Sequence, residues 1–136
     1  MSWLAYALAT VVLWTGWSFL GVIAVRHVSA AHATLLFGIA VVIVGVATLL
    51  LREKGAWSPS GLGIAAASGA CGALGMATFY LALDHGKASS VVPVIGIYPA
   101  FVALLAVAFL SESLSAVQAL GVALAVTGVV LVGTGG

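Results

Sequence analysis

The chain has 136 residues, of which 64% are hydrophobic and 5% charged, with a formal net charge of +1. The charged side chains sit in short clusters and leave about five apolar stretches, each long enough to cross a hydrocarbon core that takes about 20 helical residues. No room remains for a soluble catalytic domain, so an enzyme is not expected, and without a basic patch there is no electrostatic footprint for nucleic acid.

The first apolar run extends from Leu4 to Val25. Met1-Ser2-Trp3 offers no basic leader region and no small-x-small cleavage site ends the run, so the sequence predicts a retained span rather than a signal peptide. Trp14 and Trp17 are three apart and share a helix face. At the usual rise Trp14 lies about 15 Å from Leu4, near the membrane midplane. Interface anchoring accounts for Trp3, Tyr6 and Trp57 but not for these two, which either line a substrate cavity or pack.

Arg26-His27 ends this run, and a second span follows from Ala33 to Leu51, closed by Arg52-Glu53-Lys54-Gly55. The third runs from Leu62 to Leu83. Ser58-Pro59 before it reads as an N-cap followed by proline at the first helical position. Gly61, Ala65, Gly69, Ala73 and Ala77 recur at four-residue intervals and form one stripe of small side chains, against which another helix is expected to press. That helix belongs either to the same protomer or to a dimer partner. Cys71, the single cysteine, cannot form an internal disulfide and reads as a small packing residue.

After Asp84-His85-Gly86-Lys87, the fourth span covers Val91 to Leu110. Pro93, Gly96 and Pro99 fall within it, so the helix is expected to kink or open near its start. Irregular backbone at membrane depth is tolerated where protein or a water-filled cavity covers it. Tyr98 is deep in the same region, and its hydroxyl needs a polar partner or water. Ser111-Glu112-Ser113 separates the fifth span, Leu114 to Val132. Ser115-x-x-Gln118 has capping-box spacing and would start that helix slightly later. None of the five runs alternates as a barrel strand would, so the fold class is an all-α integral membrane protein with five transmembrane helices.

An odd number of spans puts the termini on opposite faces. Arg52, Lys54 and Glu112 then share a face with the amino terminus, opposite Arg26, Lys87, His27, His32, Asp84 and His85. Basic side chains split two against two, which leaves insertion poorly specified. A chain inserting both ways can pair with its inverted copy as a dual-topology antiparallel homodimer and so recreate the inverted repeat of many transporters. A small bias, such as the positive amino terminus, would instead fix one orientation.

Leu13-Trp14-Thr15-Gly16-Trp17-Ser18-Phe19 and the run from Phe79 to Ser115 carry a family likeness. That run holds Phe79-Tyr80-x-Ala82-Leu83, Ala88, Tyr98-Pro99-x-Phe101 and Ser111-Glu112-Ser113-Leu114, followed by Gly121 and Gly128. In order and spacing the chain resembles a single repeat of the EamA-like group in the drug/metabolite transporter superfamily, over nearly its whole length. The resemblance implies one five-helix domain over residues 1–136, completed by dimerisation. Larger members of that family join two repeats in inverted orientation and export amino acids and other metabolites. Two positions depart from the pattern: Ser111-Glu112 stands in place of a Gly-Glu pair, and Val22 lies near the place where single-repeat relatives often carry a basic residue.

These readings predict a multi-pass transporter in a bacterial-type inner membrane. It would move small metabolites or amphipathic compounds by alternating access, with lipid, a small-molecule substrate and a second copy as partners and with no cofactor. Trp14, Trp17, Tyr80 and Tyr98 are the substrate-binding candidates, beside the helix break at Pro93, Gly96 and Pro99. Their rings suit a flat or partly apolar solute, or a cation over a ring face. No acid lies in mid-span, which counts against the small multidrug resistance design. Glu112, His32 and His85 are candidates for coupling or gating, histidine because it titrates near neutral pH; each also reads as an ordinary loop residue. The spacing of His27, His32, Asp84 and His85 signals no tetrahedral zinc site. Two other functions compete: a non-transporting membrane partner subunit, and half of a heterodimeric lipid-linked sugar flippase.

Overall fold

The structure is a computed structural model that describes residues 3–52 and 58–135. The Trp57 anchor and the Glu53-Lys54-Gly55 cluster lie outside the described residues, as do Met1 and Ser2 and the side chain of Arg52. Among the described residues six helices occur in order: α1 Trp3–Ala24, α2 Ala30–Arg52, α3 Pro59–His85, α4 Ala88–Ile95, α5 Tyr98–Phe109 and α6 Ala116–Thr134. No strand is found among the described residues. With α4 and α5 taken as one segment, five stretches are long and apolar enough to cross a membrane. Large apolar side chains are exposed along all five, for example Val12, Leu50, Ile64, Phe109 and Val117. An apolar surface this extensive is incompatible with water and is solvated by lipid.

The helix starts follow local chemistry. At α3 the Gly61 N–H donates to Ser58 Oγ at 3.1 Å, with Pro59 as the first helical residue. At α6 the Gln118 N–H donates to Ser115 Oγ at 3.2 Å, and the Ser115 N–H donates to Gln118 Oε1 at 2.8 Å. Each such cap satisfies donors that have no partner within the helix and is worth about 1 kcal/mol. At α2 the His32 N–H reaches Ser29 Oγ at 3.4 Å.

The fold divides into two units, Met1–His85 and Gly86–Gly136. In the first, α2 packs on α3, and the buried residues are Gly21, Ala30, Ala33, Phe79, Tyr80 and Leu83. All belong to the last turns of α1, the first turns of α2 or the last turns of α3, so the packing is concentrated at one end. Glycine and alanine on α1 and α2 let the backbones approach the aromatic rings of α3.

In the second unit α6 packs against both α4 and α5. Val94 of α4 sits over Gly133 of α6, with Cγ2 only 3.4 Å from where a Cβ would stand. The segment from Ala88 to Phe109 is interrupted at Gly96 and Ile97. Pro93 and Pro99 have no N–H, so the carbonyls of Ser89 and Ile95 lose the donors four residues on. The hydrogen bonding tightens in compensation: the Ile97 N–H donates to Val94 O at 3.3 Å and the Ala100 N–H to Ile97 O at 3.0 Å. Helix α5 ends on Ser111, whose φ of 57° is left-handed, and the Glu112 N–H turns back to Ala106 O at 3.4 Å.

Candidate functional site

The aromatic candidates separate by environment. Trp17 is half-buried and its Nε1–H donates to Tyr80 Oη at 3.2 Å. Its ring centroid stands 5.0 Å from that of Phe79 and 5.8 Å from that of Phe37, while Phe79 and Tyr80 are 5.5 Å apart. All three pairs are tilted, an arrangement that the ring quadrupoles favour. Beneath Tyr80 lies Gly21: a Cβ there would stand 3.2 Å from Tyr80 Cε1. Trp14 is 55% exposed and takes no part in this cluster.

The pairing follows from position along the helix. Trp17 and Gly21 are four apart and face α3 together, whereas Trp14 lies nearly a turn further from the packed end. Phe37, Phe79 and Gly21 were not singled out as site residues from sequence. A glycine one turn after a tryptophan is the signal that identifies such a seat, since it leaves room for a ring from a neighbouring helix.

In the second unit Tyr98 opens α5 and is 46% exposed, next to Pro99. The break borders an open groove of about 390 Å³, lined by Gly96, Pro99 and Ala100 on one side and by Gln118, Gly121 and Val122 of α6 on the other. The groove is apolar apart from the Gln118 amide, whose oxygen is engaged by Ser115 and whose NH2 group retains its donors. Gly96 is a close-packing position, because a Cβ would come within 3.0 Å of Pro93 O.

The titratable candidates hold local bonds. The Ser29 hydroxyl lies 2.7 Å from His32 Nδ1, so this ring braces the start of α2. His85 Nδ1 lies 2.8 Å from Leu81 O, which requires its proton on Nδ1 and leaves Nε2 exposed to accept. Glu112 is exposed just after the left-handed Ser111. Among the described residues no three His, Cys, Asp or Glu side chains gather closely enough to share a metal ion.

Gly61, Ala65, Gly69 and Ala73 are exposed, and Ala77 is half-buried. A Cβ on Gly69 would meet nothing within 4 Å.

The model of the EamA-like transporter family matches residues 1–134. The chain belongs to the EamA-like transporter family. With five helices long and apolar enough to cross a bilayer among its described residues, it is a multi-pass membrane protein. Over 58 residues this EamA-like chain is also 41% identical to an uncharacterized protein of Methanocaldococcus jannaschii, MJ1333.1, a match that covers 43% of the chain and 42% of that protein. The similarity thus spans less than half of the archaeal relative. No solved structure matches the chain.

Proposed function

We propose that this EamA-like protein moves small metabolites or amphipathic compounds by alternating access, as an antiparallel homodimer in a bacterial-type inner membrane. Residues 1–136 act as one transmembrane repeat, and the inverted copy supplies the second. The carrying observation is the even division of basic side chains, Arg26 and Lys87 against Arg52 and Lys54, across a repeat with an odd number of spans. Such a chain has no strong preference for either orientation. Inverted pairing of two repeats provides the symmetry by which transporters of this kind exchange inward- and outward-facing states.

Trp14, Trp17 and Tyr80 are the solute-contact candidates of the first unit, and Tyr98 at the helix break is that of the second, each unit taken by itself. Exposed ring surface on Trp14 and Tyr98 supports contact with a flat or partly apolar solute. Glu112, His32 and His85 are the positions for coupling or gating.

The test is the location of the carboxyl terminus, read with paired reporters active on only one side of the membrane. Signal from both sides is expected. Signal from one side alone rejects the antiparallel dimer and directs the search to a parallel dimer or an unlike subunit. Solute flux into proteoliposomes then tests transport, and Trp14→Ala combined with Trp17→Ala is expected to reduce it at least tenfold per folded protein.

A further inference from the structure

The first unit is held together unevenly. Near the α1–α2 turn, the Tyr80 ring lies on Gly21 and the Trp17 indole bonds the Tyr80 hydroxyl. Among the described residues the other side-chain hydrogen bonds stay within three or four positions of one chain segment, so this bond alone ties two helices through side chains. Among the described residues no comparable seat occurs toward the other end. A Cβ added at Gly45, Gly63 or Gly69 would meet nothing within 4 Å. Among the described residues the side-chain junction of the three helices therefore lies at the α1–α2-turn end.

We propose that Trp17, Gly21 and Tyr80 form a clasp that closes the α1–α2-turn end of the first unit, and that its release is the opening step at that membrane face. The inference rests on the alternating-access reading and deepens it by assigning these residues to regulation of access.

The chemistry suits repeated making and breaking. A single neutral hydrogen bond contributes little net free energy when water can replace it, so it biases an equilibrium without locking it. The glycine removes the side chain that would otherwise hold the ring off α1, so the closed state is a close contact and the open state carries no bulky obstruction. Tyr80 is 4% exposed here, so its ring is withdrawn from solvent in the clasped form and presented when α1 moves away.

The test reads the conformation directly. In full-length Cys71→Ser protein in lipid nanodiscs, spin labels at Ile23→Cys and Leu81→Cys report the separation of α1 and α3 beside the clasp. Both native residues are exposed, at 39% and 49%. A second pair at Val12→Cys and Ala66→Cys reports a level farther from the clasp. Tyr80→Phe keeps the ring on Gly21 and deletes the hydroxyl; Trp17→Phe keeps an aromatic and deletes the donor.

Each substitution is expected to enlarge the long-distance population of the Ile23–Leu81 pair by about fivefold, the equilibrium change from one net hydrogen bond. The double substitution should add nothing further, because both remove the same bond. The Val12–Ala66 pair should stay unchanged or contract. An unchanged Ile23–Leu81 distribution overturns the clasp, and so does equal broadening of both pairs, which signals general loosening. Flux measured on the same samples separates the two readings: a responsive clasp with no flux in any form rejects the transporter cycle, whereas flux with an unresponsive pair rejects the clasp alone.

Discussion

At the scale of single residues, backbone geometry decides more than side-chain chemistry. Ser111 holds a φ of 57°, which costs a non-glycine residue roughly 1–2 kcal/mol. The Gly-Glu pair expected here from the family resemblance avoids that cost, so the departure to Ser111-Glu112 carries strain. Ser111→Gly is expected to stabilise the protein by about 1 kcal/mol and to raise its thermal midpoint in detergent; a lowered midpoint would show that the serine makes a compensating bond. Gly96 is the opposite case, since its φ of −58° suits any residue but Pro93 O leaves no space for a Cβ. Gly96→Val should therefore lower folded yield more than Gly63→Val, whose site is open. Neither the sign of φ at Ser111 nor the crowding at Gly96 can be read from residue type, because both arise where the chain changes direction.

At the scale of elements, the starts of α3 and α6 were legible because their chemistry is local. Ser58-Pro59 and Ser115-x-x-Gln118 specify a cap within four residues, and the hydrogen bonds are those that the spacing implies. Ser115→Ala should cost about 1 kcal/mol and shift the urea or thermal midpoint, with Gln118→Ala producing an overlapping loss because the two bonds are reciprocal. Proline marked where the backbone of the fourth span changes, but not how the bonding rearranges. The shift to Val94 O and Ile97 O depends on which carbonyls the neighbouring turns leave free. Among the aromatics, spacing placed Trp14 and Trp17 on one face, yet only Trp17 joins the cluster. Which turn of a helix meets its neighbour is a long-range property, and hydropathy carries no record of it when every turn is apolar.

At the scale of the whole molecule, the five membrane-crossing segments and the family were readable because lipid imposes length and composition. Partner choice was not. The stripe on α3 was expected to receive another helix, and from Gly61 to Ala73 it is exposed. A Cβ on Gly69 meets nothing within 4 Å, so Gly69→Leu should fold as well as Leu74→Ala when monomeric but, in the proposed dimer, shift the size-exclusion profile toward monomer. Equal profiles for the two variants would assign the stripe to lipid.

The 27 residues of α3 have a further consequence. A straight helix of that length measures about 40 Å, against a hydrocarbon core of roughly 30 Å. Its apolar run from Leu62 to Leu83 spans such a core with some tilt, the ends at Pro59 and Asp84-His85 reach the headgroups, and its last turns hold Phe79 and Tyr80. Bilayer thickness is therefore expected to bear on α3: thicker bilayers favour an upright helix and thinner ones a leaning helix, so the contact of Tyr80 with Gly21 should depend on acyl-chain length.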